Sequence, residues 1–272
     1  MTRKQERARA RRRWEKQQAR QAQREADRAR LLRVASVGGV VVLVVGLLVV
    51  LGLTVGRSSG TSDAAGAGKD NQSTEVVAGC QPPPSPLGTG AELTLPDKKT
   101  AAGKTFTATI TTNCGDLVVR LDGTKAPQAV ASFLQLAREQ YWKNSPCHRL
   151  TTGATFKVLQ CGDPTGTGQG EPGYGFGVEN APKDGTYTRG TLAMARTTDP
   201  KNGNGGQFFI VYGDTKIPDP SGYTVFGTVT SGLDIVDRVA AEGVAPNDTS
   251  PDDGAPAAPI SILRVAVTEE KS

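Results

Sequence analysis

From Val34 to Gly56 the chain runs 23 residues without a charged side chain, bounded by Arg33 and Arg57. As a helix rising about 1.5 Å per residue, this run would reach roughly 34 Å, enough to cross a hydrocarbon core of about 30 Å. The pattern then breaks. Residues 57–103 are rich in Gly, Ser, Thr, Ala and Pro with few large apolar side chains, the composition of a flexible, disordered linker, stiffened by a polyproline piece at Gln81–Pro86. From Lys104 onward short apolar runs return with period two. Phe106, Ala108 and Ile110 alternate with threonines, Asn113–Asp116 reads as a tight turn, and Leu117–Leu121 reads as the returning strand. Pro127 suits the first position of a helix that gathers Val130, Phe133, Leu134 and Ala137 on one face. Further strands are predicted at 147–150, 157–160, 191–195, 207–212, 224–229 and 260–267, and a second helix at Leu233–Ala241. Eight short strands and two helices predict a mainly β domain, a closed eight-stranded antiparallel barrel capped by two helices.

Charge changes the picture at the N-terminal end. The first 33 residues carry 13 Lys and Arg against 4 Asp and Glu, while the whole chain is only +5, so the remainder is net acidic. A basic tail alone would suit nucleic acid or an anionic surface. The apolar run behind it decides for the membrane, with bilayer contact through 34–56 and no nucleic acid partner expected, while the tail 1–33 would either lie as a helix on anionic lipid or stay solvated and disordered. A secretory signal peptide begins in the same way, but its apolar region is about 7 to 15 residues long. Ala64, Ala65 and Ala67 leave cleavage after the run open. The positive-inside rule puts residues 1–33 in the cytoplasm and everything after 57 outside, a single-pass membrane protein with an extracytoplasmic domain. The expected organisation is a basic tail 1–33, a transmembrane helix 34–56, a linker 57–103, a folded domain 104–268 and a short tail 269–272.

Candidate chemistry concentrates between Cys147 and Asp163. This stretch holds the only histidine, His148, two of the four cysteines, Arg149 between Cys-His and Leu, and Gln160 ahead of a Gly-Asp-Pro turn. Two strands joined by a polar loop would set Arg149 and Gln160 side by side. His148 points to the opposite face from Arg149, which favours a structural histidine over a catalytic base. Cys80, Cys114, Cys147 and Cys161 contain no Cys-x-x-Cys, which argues against zinc. They allow three disulfide pairings, of which Cys147 with Cys161 across adjacent strands is preferred, and they suit an oxidising compartment. The glycines of Gly166–Gly170 are followed by no Gly-Lys-Ser/Thr and read as loop rather than as a phosphate cradle.

In chain order the motifs are the Ala126-Pro127 helix with Phe133, Cys147-His-Arg-Leu150, Leu159-Gln-Cys-Gly-Asp-Pro-Thr-Gly-Thr-Gly168, Leu192-Ala-Met-Ala195, Asn204-Gly-Gly-Gln-Phe-Phe-Ile210 and Val225-Phe-Gly-Thr-Val229. Together they resemble the cyclophilin family of peptidyl-prolyl cis-trans isomerases, over about 104–268, in a membrane-anchored bacterial form. The resemblance implies a groove on one face of the barrel, with Arg149 as the catalytic residue. Gln160, Met194, Ala195, Gln207 and Phe209 would bind substrate, Phe209 as the floor of a proline pocket. Phe156 would give a second aromatic wall, Ile217 an apolar edge and Tyr223 a polar cap. A gapless match would put Lys157 in the place of Phe156, and loop length leaves the two open. Lys216 falls near a tryptophan of some members. The implied activity accelerates X-Pro isomerisation in proline-containing polypeptides outside the cytoplasm and assists their folding. It breaks no covalent bond, so neither metal nor cofactor is expected. The alternative is a non-catalytic proline-peptide binding or scaffold module tethered to the membrane.

Overall fold

A computed structural model of the chain describes residues 77–88, 90–246 and 250–271. The predicted basic tail, the apolar run 34–56 and the first part of the linker lie outside the described residues. Among the described residues no helix is long and apolar enough to cross a membrane.

Twelve strands and two α-helices follow in chain order. They are β1 Thr105–Thr112, β2 Gly115–Asp122, α1 Pro127–Arg138, β3 Ser145–Pro146, β4 Arg149–Gly153, β5 Phe156–Cys161, β6 Thr186–Tyr187, β7 Thr191–Arg196, β8 Asn204–Val211, β9 Thr215–Lys216, β10 Val225–Ser231, α2 Leu233–Ala241, β11 Asp253–Gly254 and β12 Ser261–Glu269. Ten of the strands form one curled antiparallel sheet in the order β11-β4-β5-β8-β7-β10-β2-β1-β12-β3, and β6 pairs with β9 separately. The expected ring of eight strands is therefore a ten-stranded ladder whose hydrogen bonding ends at β3 and β11. Pairing to β12 continues past Pro146, where the Cys147 amide donates to the Ile260 carbonyl at 2.9 Å. Only Cys147 and His148 separate β3 from β4, so the run Ser145–Gly153 bonds to β12 at its start and to β5 at its finish.

Period-two patterning builds the strands as the sequence predicts. In β1 every second residue is buried, so Phe106, Ala108, Ile110 and Thr112 point inward and Thr105, Thr107, Thr109 and Thr111 outward. Helix α1 starts on Pro127, whose missing N–H would have had no helical partner. Its next two amides, of Gln128 and Ala129, donate to the Glu179 carboxylate at 3.0 Å, so an acidic side chain from a distant loop replaces the missing cap. The helix buries Val130, Phe133 and Leu136 against the sheet. There Phe133 meets Trp142, Phe208 and Phe226 with ring centroids 4.7 to 5.9 Å apart. A second, smaller apolar cluster of Val158, Tyr187, Ala193, Phe209 and Val211 lies apart from this core.

The linker expected up to residue 103 gives way, within its described part, to a segment held on the domain. Cys80 is disulfide-bonded to Cys114 in the β1–β2 turn, and the Gln81 amide donates to the Asn113 carbonyl at 2.8 Å. Farther along, the Leu93 amide donates to the Pro172 carbonyl, and the side-chain amides of Gln135 and Gln128 donate to the carbonyls of Thr94 and Pro96. Gly90 lies flat on Tyr141, where a Cβ would fall 2.1 Å from the ring. A covalent bond and hydrogen bonds from distant residues hold this strap, neither of which a composition rich in Gly and Pro reveals. At the other end, Glu269 extends β12 and bonds Lys104, so the expected tail begins as strand.

Candidate active site

Alternation along three adjacent strands divides their side chains between the two clusters. In β8 Phe208 enters the main core and Phe209 the second cluster. In β7 Ala193 and Ala195 join the second cluster, while Met194 between them goes to the main core and is 3 % exposed. The expectation that Met194 contacts substrate is thereby corrected: on a strand, neighbours face opposite ways, and Met194 and Ala195 cannot share a groove. In β5 Phe156, Val158 and Gln160 share one face, so Phe156 is the aromatic that joins the second cluster. Lys157 turns the other way, its aliphatic stem lying over Gly213.

Register then brings the predicted residues together. Arg149 pairs with Gln160, Gln160 with Phe209, Phe209 with Ala193, and Ala193 with Val225, a single row across β4, β5, β8, β7 and β10. Directly opposed side chains sit about 5 Å apart. The polar end of the row is a chain of hydrogen bonds. Arg149 donates through Nη1 to Gln160 Oε1 at 3.2 Å. Gln160 Nε2 donates to Gln207 Oε1 at 2.9 Å. Gln207 Nε2 donates in turn to the carbonyls of Gly168 and Gly170. The glycine loop is thus a support for Gln207. It is itself held by the Asp163 carboxylate, which accepts from the amides of Thr165 and Gly168. Burial works against the charge of Asp163, but these bonds hold its pKa below the ordinary value. His148 lies against the same loop rather than with Arg149, and burial lowers its pKa below 6.5.

On its far side Arg149 makes a bidentate pair with Asp253, Nε to Oδ1 at 2.7 Å and Nη2 to Oδ2 at 2.8 Å. These bonds outweigh the effect of burial and push the guanidinium pKa up, so its charge is permanent. The guanidinium carbon lies 5.5 Å from the centre of the Phe156 ring, within cation–π range.

The apolar end of the row is a small aromatic bowl. Phe209, 4 % exposed, forms its base. The rings of Tyr187 and Tyr223 meet Phe209 edge-on at 6.2 and 5.7 Å. Phe156, Ala195, Ile217 and Tyr223, all partly exposed, form its rim. Tyr187 Oη accepts from the Tyr223 amide at 2.8 Å, and Ile217 is held by its own amide on the Gly185 carbonyl. Arg196 backs Tyr223, its guanidinium carbon 4.8 Å from the ring centre. Arg196 is buried and paired with Asp219 at 2.7 Å. A cavity of about 380 Å³ adjoins the bowl at Ala195 and the polar end of the row at Gln160 and Gln207. Sequence reasoning missed Tyr187, Arg196 and Asp253. Tyr187 and Asp253 arrive from two-residue strands that carry no periodic signal, whereas Arg196 ends β7, one residue beyond the Met-Ala pair. The second disulfide joins Cys147 and Cys161, the preferred pair, and brackets Arg149 and Gln160.

Comparison with known proteins places these residues in context. The family described as "Cyclophilin type peptidyl-prolyl cis-trans isomerase/CLD" matches residues 107–267. The "Probable peptidyl-prolyl cis-trans isomerase B" of Mycobacterium tuberculosis is 40 % identical over 211 residues, covering 71 % of this chain and 65 % of that protein. The "Peptidyl-prolyl cis-trans isomerase B" of Escherichia coli is 35 % identical over 172 residues, which is 59 % of this chain and 99 % of its own length. Among solved structures, a cyclophilin-type isomerase of Cryptosporidium parvum matches with a TM-score of 0.49 and 31 % identity, covering 61 % of this chain and 99 % of its own.

Proposed function

This chain belongs to the family of cyclophilin-type peptidyl-prolyl cis-trans isomerases, and we propose that it catalyses cis-trans exchange of X-Pro bonds in polypeptides, with Arg149 as the catalytic residue. The observation that carries the reading is the row Arg149–Gln160–Phe209, in which a fixed guanidinium adjoins an apolar aromatic floor. Amide resonance sets a barrier of about 18 to 20 kcal/mol, and X-Pro bonds cross it in tens to hundreds of seconds. Catalysis requires binding the twisted amide more tightly than either planar isomer. The proline ring would rest on Phe209 between Phe156, Ala195, Ile217 and Tyr223. As the amide twists, its nitrogen loses resonance and accepts a hydrogen bond, and an N–H of Arg149 would supply it. Gln160 and Gln207, already linked, would hold the peptide backbone and keep Arg149 in line.

The chain length beyond the domain completes the proposal. The uncharged run 34–56 would anchor the protein in a bacterial membrane, tail inward, so that the domain meets extracytoplasmic proteins as they fold. The full chain should accelerate exchange of an X-Pro tetrapeptide, and Arg149→Ala should lower kcat/KM roughly 100-fold, the cost of losing one preorganised donor. Binding of the peptide with no acceleration by the wild type would favour the non-catalytic binding module instead.

A further inference from the structure

We infer that Asp253 is a positioning residue for the reaction, fixing the plane of the Arg149 guanidinium; this rests on the reading of Arg149 as the catalytic donor. Asp253 opens β11, a two-residue strand that pairs with β4 at Thr151 and Leu150, so its backbone is set by the same strand that carries Arg149. Its carboxylate takes Nε and one N–H of Nη2 in a two-bond fork. A carboxylate engaged in this way defines both the distance and the orientation of a guanidinium, which a single bond does not. Gln160 holds Nη1 from the neighbouring strand and the Phe156 ring lies under the guanidinium carbon. Each terminal nitrogen carries two hydrogens, so one N–H on Nη1 and one on Nη2 remain to donate to a peptide in the groove.

The side chains of Arg149 and Asp253 are 36 % and 40 % exposed. A pair this open adds little to stability, because water screens the charges. Its value lies in geometry: an arginine side chain turns about several bonds, and a donor that must meet one nitrogen at one moment works best when those turns are already frozen. The same carboxylate also partly neutralises the positive field over the groove. Charge and orientation therefore pull in opposite directions, and the sign of the effect on rate distinguishes them.

The experiment uses the full chain and measures kcat and KM on an X-Pro tetrapeptide for wild type, Asp253→Ala, Asp253→Asn, Asp253→Glu, Arg149→Ala and the double variant Arg149→Ala/Asp253→Ala, with a thermal midpoint for each. Asp253→Ala is expected to lower kcat by about three- to tenfold, a modest misplacement of the donor, with KM and the midpoint little changed. Asp253→Asn, which keeps the shape, guards against a folding defect in the alanine variant and should show a smaller loss in kcat. Asp253→Glu should recover most of the rate. In the Arg149→Ala background the loss should vanish, because the carboxylate acts only through the arginine. A rate for Asp253→Ala equal to or above wild type, or an equal loss with Arg149 already absent, overturns the assignment. A wild type without activity overturns the isomerase reading itself, which is a distinct result.

Discussion

Phe208 and Phe209 are adjacent, both almost fully buried, and belong to different clusters. Truncating either to alanine should cost about 3 to 5 kcal/mol of stability, read as a shift of the denaturant midpoint. The two separate in function. Phe209→Leu keeps most of the buried volume, at about 1.5 kcal/mol or less, and should still raise KM because the flat base of the bowl is lost. Phe208→Leu should leave KM unchanged. At His148 the consequence concerns pH. Burial lowers its folded pKa below 6.5, so below that value the unfolded chain takes up a proton that the folded chain resists. The folded chain is therefore fully favoured above about pH 6.5 and loses stability as pH falls from there through the folded pKa. Urea titrations between pH 7.5 and 5 should show this decline, and His148→Gln should reduce it.

At the scale of elements, the two disulfides do different work. Cys80–Cys114 closes 34 residues and pins the strap beside the β1–β2 turn. Chain entropy assigns such a loop about 4 kcal/mol. Replacing both cysteines by serine should lower the thermal midpoint and leave kcat/KM at the wild-type value, since the disulfide and the hydrogen bonds that hold the described strap run to Cys114, Asn113, Pro172, Gln128 and Gln135, none of them in the row of Arg149. The longer strands were readable from alternation, and alternation also answers two questions that motif matching left open or misjudged. Gln160 lies an even number of positions from Phe156 and an odd number from Lys157, so only Phe156 can share its face. By the same parity Met194 had to leave the groove that Ala195 enters. The strap and Asp253 were beyond reach for another reason: partners distant in the chain fix both, one by a disulfide and one by a two-residue strand, and neither leaves a period in the sequence.

The whole chain combines a family domain with an N-terminal region of membrane-like composition. If 34–56 anchors the protein, the full chain should stay with membranes through alkaline extraction, whereas a version lacking residues 1–56 should be released and keep the same kcat/KM. The fold class followed from counting strands and helices, but the closure of the sheet did not, because the pairing of the run Ser145–Gly153 is interrupted as it passes from β12 to β5, which patterning does not reveal. That interruption has a consequence for the company the protein keeps. The sheet ends on β11 and β3, each two residues long, so it offers a passing extended chain almost no unpaired backbone to zip onto. A protein whose proposed clients are incompletely folded polypeptides can then take them through its groove, one proline at a time, without its own sheet nucleating their aggregation.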